Sequence, residues 1–224
     1  RSCARMTEDS SRLEICRVGA ALYTRGYVHA SAGNISVRLP DGGFLITPTD
    51  ACLGDLKPEA LALVGADGIQ ISGQKASKTL QLHRRIYSSD PSAGCVIHTH
   101  ATHLVSLSIQ GVWREADIVP PLTPYFVMKV GHVPQIPYGV PGATEVASQV
   151  ATAITTAQSA ACPIRAVMLE RLGPVVWHAS PAQASAVLEE LEETAKLWLQ
   201  SGRNATPLSE AAIQALRDTF GATW

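Results

Sequence analysis

The clearest chemistry in the chain is the run His98-Thr99-His100. It follows Gly94-Cys95-Val96-Ile97, which reads as a strand, and strand alternation then puts Val96, His98 and His100 on one face. Residues two apart on a strand have Cα atoms roughly 6.5–7 Å apart, so both imidazoles can converge on one ion. A strand that supplies two ring nitrogens suits a zinc site that keeps an open coordination position. Taken alone, the pattern equally describes two half-exposed polar residues on a sheet. His103 fits either a place behind the ligands or the start of the next helix.

Three upstream segments carry the parts of an anion site. Gly33-Asn34-Ile35-Ser36 offers a backbone turn, an amide and a hydroxyl. Thr47-Pro48-Thr49-Asp50 offers hydroxyls in a turn. Ser77-Lys78-Thr79 falls at an expected helix start, where free N–H groups and the helix dipole favour an anion and Lys78 adds a cation. Each is ordinary turn or capping chemistry by itself. Their succession, ending in the histidine pair, is what raises the case for an anion site beside a metal site.

The elements that must position these residues can be read coarsely. Ser11 and Glu14 have capping-box spacing ahead of Ile15, Val18 and Leu22, with Gly26 as the stop. Short strands are expected after Gly33 and at Phe44–Ile46, then a hairpin around Asp67-Gly68. A helix from Ser77 carries Leu80, His83, Ile86 and Tyr87. Residues 101–109 also read as helix. Six prolines in residues 119–141 argue for ordered loop and edge strand rather than helix. Residues 143–155 are helical in spacing, and two strands flank Leu172-Gly173. Ser180-Pro181 opens a long helix that Gly202 ends, and a last helix covers residues 209–220. The sum is one α/β domain over residues 1–224, a three-layer α/β/α arrangement with a largely antiparallel central sheet. Residues 1–6 are expected to be a disordered tail or an expression remnant.

Composition narrows the function. With 18 Lys+Arg against 19 Asp+Glu in 224 residues, the chain lacks the basic excess that nucleic acid or an anionic membrane would attract. Aromatic residues are 5%, too few for a base-stacking platform. No apolar run nears the roughly 18–20 residues of a membrane span, and no secretory leader is expected. Five scattered cysteines without a CxxC pair imply reduced thiols, each a small core residue, and a cytoplasmic protein.

In order, GNIS, TPTD, SKTLQLH and HTH resemble the class II aldolase/adducin family, over roughly residues 11–198. The stretches TPTDACLGDL and PPLTPYFVMKVG are most similar to its branch of 3-oxo-tetronate 4-phosphate decarboxylases. The resemblance implies that Gly33, Asn34, Thr49, Ser77 and Lys78 hold a substrate phosphate. It implies that His98 and His100 bind a divalent metal, usually zinc, and that the protein is a four-fold homotetramer acting on a small phosphorylated sugar acid.

Two positions depart from the family pattern. Aldolases of the family carry Glu, and the epimerase Asp, four residues before the helix histidine; here that position is Thr79. The family's third metal histidine directly precedes a glycine; here it is Leu172, ahead of Gly173. A hydroxyl cannot act as the base of an aldol cleavage near neutral pH. Loss of carbon dioxide makes its enolate without that base, so decarboxylation is the leading expectation. A sugar-phosphate aldolase and a non-catalytic ligand-binding or oligomer-forming protein are the alternatives. Leucine cannot ligate, and Glu170, His178 or His132 from a neighbouring subunit are the candidates for a third donor. Tyr125 and Tyr138 could donate a proton, although core packing fits them better. Lys129 fits a solvated lysine, Trp177 and Trp198 fit packing, and His83 fits a hydrogen-bonded structural histidine.

Overall fold

The computed structural model describes residues 7–224. The expected tail, residues 1–6, lies outside the described residues.

The strands are β1 (Asn34–Arg38), β2 (Phe44–Ile46), β3 (Ala62–Val64), β4 (Gln70–Ser72), β5 (Cys95–His98), β6 (Gln135–Ile136), β7 (Ala166–Leu169) and β8 (Gly173–His178). They form one sheet in the order β4-β3-β2-β1-β5-β8-β7-β6. Every neighbouring pair is antiparallel except β6 with β7. The largely antiparallel sheet read from the sequence is therefore the one observed.

Alternation along the strands builds two cores. Ile35, Val37, Cys95, Ile97 and Val176 face one way. There they meet the apolar stripes of α1 (Glu8–Thr24), α3 (Thr102–Gln110) and α6 (Pro181–Gln200). Phe44, Ile46, Val96, Val175 and Trp177 face the other way, against α2 (Leu80–Ser89) and α5 (Thr144–Ser159). Trp177 and Trp198 pack as expected. Two short sequence features close this three-layer body, α4 (Pro124–Lys129) and α7 (Glu210–Phe220).

Local structure departs from the sequence reading in four places. The first helix starts at Glu8, and its cap is Thr7, whose hydroxyl accepts from the Ser10 N–H; Ser11 is buried one turn inside. The second helix starts at Leu80, not Ser77, with Thr79 at the cap position but making no side-chain capping bond. The proline-rich segment does contain a helix, α4. Thr123 accepts from the Phe126 N–H there, and Pro124 sits in the first turn, where its missing N–H costs nothing. Among the described cysteines only Cys95 is fully buried, while Cys16, Cys52 and Cys162 are partly exposed.

Candidate active site

Strand β1 lies between β2 and β5, and its register sets Asn34 opposite His98. The residue before it, Gly33, has φ +84°, and a Cβ there would meet the His98 carbonyl oxygen at 2.8 Å. Only glycine turns the chain into β1 this close to β5. The end of β2 is tied to the same corner. The Thr47 hydroxyl accepts from the Ile35 N–H (3.1 Å), and the Thr47 carbonyl accepts from the Ser77 N–H (3.2 Å). The Thr49 N–H donates to the Lys75 carbonyl at 2.8 Å. Segments 33–36, 47–49 and 75–79 therefore meet at one end of the sheet.

A buried chain of hydrogen bonds orients Asn34. His83 is fully buried, and burial, reinforced by nearby His98, pushes its pKa down to about 3, so it is neutral. Its Nδ1 lies 2.7 Å from the Ser36 hydroxyl and its Nε2 lies 2.5 Å from Asn34 Oδ1. Ser36 Oγ also lies 2.7 Å from the Tyr87 hydroxyl. One assignment satisfies all three contacts. Tyr87 donates to Ser36, Ser36 donates to Nδ1, and Nε2–H donates to the Asn34 carbonyl. The amide hydrogens of Asn34 are then left outside this chain of bonds. His83, read from the sequence as structural, fixes which end of the Asn34 amide is presented.

The turn after β4 adds donors. Ser77 is buried, and its hydroxyl accepts from the Thr79 N–H (3.3 Å) and lies 2.9 Å from the Thr79 hydroxyl. Beyond it the N-terminus of α2 is open, with no side chain capping it. Lys78 is exposed, and Asp50 is its nearest carboxylate at 4.0 Å. Ser77 thus serves from the turn before the helix rather than from the helix start.

The histidine pair sits beside this corner. β5 ends at His98, so His100 lies past the strand and not on its pleated face. The rings are nevertheless close, with centroids 5.1 Å apart. His98 Nδ1–H donates to the Pro174 carbonyl (2.9 Å), which leaves the Nε2 lone pair unprotonated and aimed away from the sheet. Burial, the adjacent His100 and, in opposition, that carbonyl set the His98 pKa at about 4. The His100 pKa is lowered by burial and then by His29. Both imidazoles are therefore neutral and able to ligate at neutral pH.

A cleft opens on His98. Lys78, Thr79 and Glu170 line it together with apolar Leu82, Val146 and Leu172. Residues 137–143 form one wall, and α5 begins there without a side-chain cap. Glu170 is the only carboxylate among these lining residues, and its Oε2 accepts from the Tyr138 N–H at 2.8 Å. Tyr125 and Tyr138 are 61% and 63% exposed, which removes core packing as their role. Lys129 is exposed as expected.

Two imidazoles about 5 Å apart match two ligands of one tetrahedral zinc with Zn–N bonds of about 2.0–2.1 Å. The third position does not match. Leu172 follows Arg171, and Gly173 presses so close that a Cβ would clash with the Thr99 carbonyl. Position 172 is thereby held against the histidine pair, with an apolar side chain. Among the described residues no three His, Cys, Asp or Glu side chains gather around one point. His29, which the sequence reading passed over, stands next in line, its ring centroid 6.2 Å from that of His100.

The fold and this corner define a class II aldolase-like lyase scaffold. The chain belongs to the family described as the Class II Aldolase and Adducin N-terminal domain, which matches residues 13–199. It is 55% identical to the 3-oxo-tetronate 4-phosphate decarboxylase of Cupriavidus necator, over 97% of this chain and 99% of that protein. It is 30% identical to the L-fuculose phosphate aldolase of Methanococcus vannielii, over 83% of this chain and 92% of that one. Among solved structures it is similar to YgbL from Klebsiella pneumoniae, with a TM-score of 0.87, 40% identity, and coverage of 95% of this chain and 100% of that chain. Metal binding is general in the family.

Proposed function

We propose that the chain decarboxylates a 3-oxo-tetronate 4-phosphate to dihydroxyacetone phosphate. The observation that carries this choice within the family is that no carboxylate stands where the aldolases carry their base. Thr79 occupies the acidic position, and Glu170 is engaged by the Tyr138 N–H. A retro-aldol step must remove a proton from a substrate hydroxyl. In the 3-oxo acid the C1–C2 bond breaks instead, carbon dioxide departs, and the electron pair passes through C2 to the C3 oxygen. Protonation at C2 then gives the triose phosphate, so no base is needed to begin.

The residues divide the work. Asn34, with Gly33, Thr49, Ser77 and Lys78, holds the phosphate. The open start of α2 adds N–H donors and the positive end of its dipole. The apolar wall of Leu82, Val146 and Leu172 excludes water from the carboxylate that must leave. His98 and His100 would hold a divalent metal, with zinc the first choice; when bound, it supplies a Lewis acid for the developing enolate oxygen. The likeness to named decarboxylases over the full chain supports the substrate.

The same proposal extends to setting and assembly. The free thiols of Cys16, Cys52, Cys95 and Cys162 support a cytoplasmic location, and no helix among the described residues is long and apolar enough to cross a membrane. Exposed Tyr125, Tyr138 and Val140 support association of copies, for which a homotetramer is the proposed state. The test is product balance. Carbon dioxide and triose phosphate should appear in equal amounts. Triose phosphate accompanied by an aldehyde, with no carbon dioxide, would assign the chain to the aldolases.

A further inference from the structure

The chain balances 18 Lys+Arg against 19 Asp+Glu, yet its positive charge is not evenly compensated over the fold. Arg12, Arg17, Arg25 and Arg217 each pair with a glutamate. Arg38, Arg84 and Arg85 do not; among the described residues none of them has a carboxylate within 4.0 Å. These three line one hollow, between the outer face of α2 and the turn that joins β1 to β2. It shares only Gln81 with the cleft beside His98.

The fold places each guanidinium there for a separate reason. Leu82, His83, Ile86 and Tyr87 are the buried residues of α2, so Arg84 and Arg85 fall on its other face. Arg84 is tethered: its Nη2 donates to the Ala66 carbonyl at 3.4 Å, and it lies so close to Gly68 that a Cβ there would collide with it. Arg38 ends β1 opposite Phe44. Its Nη1 and Nη2 donate to the Pro91 and Tyr87 carbonyls, and its guanidinium lies 4.7 Å over the Tyr87 ring. Tyr87 is itself buried and bonded through its hydroxyl to Ser36, so Arg38 rests on a fixed support. Arg85 makes no side-chain hydrogen bond among the described residues.

Nothing on the adjoining turns neutralises this charge. Asp41 accepts from the Gly43 N–H and Asp67 from the Ile69 N–H, each carboxylate bonded to its own turn. Buried Phe44 and Tyr87 back the hollow, where charges are screened less than on an open face. Three guanidinium groups held together repel one another, and an anion from solution removes that cost. Each fork matches two phosphate oxygens, so three forks suit two adjacent phosphoryl groups better than one.

We propose that this hollow binds a small ligand carrying a diphosphate group, at a site separate from the substrate phosphate corner. The inference does not depend on the decarboxylase reading. Inorganic pyrophosphate is the probe, titrated calorimetrically into native protein, Asn34→Asp and the double variant Arg84→Ala/Arg85→Ala. Native protein should bind it at a site that survives Asn34→Asp, and the double variant should lose affinity there at least about 10-fold. Arg85→Lys keeps the charge but not the fork, and its affinity should fall between native protein and the double variant. ADP identifies the source of the diphosphate. Affinity equal to that of pyrophosphate assigns recognition to the diphosphate group alone, and tighter binding assigns it to a nucleotide. Failure of native protein to bind pyrophosphate, binding that Asn34→Asp abolishes, or full binding in the double variant each overturns the proposal.

Discussion

At one end of the site Tyr87, Ser36, His83 and Asn34 form an unbroken line of buried hydrogen bonds; at the other, His98, His100 and His29 have ring nitrogens without protein partners. The first end is preorganised by the fold itself. Its groups are held before a ligand arrives, so binding costs little further ordering. The second end is complete only with something the chain does not contain. Family departures fall beside the cleft at Thr79 and Leu172, while the glycine, the amide and the serine of the phosphate corner keep the family pattern. The contrast suggests that phosphate anchoring is kept while the reactive pole changes its donors.

The largest expected effect comes from breaking the backbone on which both ends depend. Gly33→Ala forces a side chain into a positive φ and against the His98 carbonyl. It should cost on the order of 3 kcal/mol in urea unfolding and abolish both phosphate and zinc binding. A variant as stable as native protein would show that the two ends do not share this turn.

Asn34→Asp separates the ends. The carboxylate can still accept from His83 Nε2–H, so the buried line survives, but it turns a negative charge on the substrate phosphate. KM should rise about 100-fold, equivalent to ~2.7 kcal/mol, with zinc affinity nearly unchanged. Equal losses in zinc and substrate binding would erase the division drawn here.

Leu172→His works at the other end. It returns the family's nitrogen to a turn already pressed against Thr99, and zinc affinity should rise about 10-fold in competition with a chromophoric chelator. No gain in Leu172→His would mean that position 172 does not reach the metal.

The two ends were also unequally legible in the sequence. Gly33, Asn34, Thr49 and Ser77 lie in or beside short turns, which are local, so residue type and spacing single them out. The histidine pair was found by its two-residue spacing, although the strand stops at His98 and sheet alternation does not carry His100. His29 has no local pattern, because its neighbour is 71 positions away and reaches it only through the pairing of β1 with β5. The available signal was the GN turn itself: a strand expected beside the histidine strand brings its own preceding loop to the histidines. The helix within 119–141 was missed because proline opposes a helix interior but not its first turn.

The smallest effect concerns the protonation that orients Asn34. In the fold His83 stays neutral down to about pH 3, whereas in the unfolded chain it takes a proton near 6.5. The unfolded state therefore binds more protons between those values, and stability falls as pH drops below about 6.5. His98, held near 4, adds to the same slope in native and variant alike. His83→Gln can keep a hydrogen bond to Asn34 yet cannot titrate, so its stability should fall less steeply. Between pH 6.5 and 5.5 the gap between native and variant should narrow by about 1 kcal/mol, read from urea midpoints at matched m-values. Parallel pH profiles would mean that His83 is not neutral in the fold. Nδ1–H would then donate to Ser36, reversing the Tyr87–Ser36–His83 part of the line, while Nε2–H would still donate to the Asn34 carbonyl.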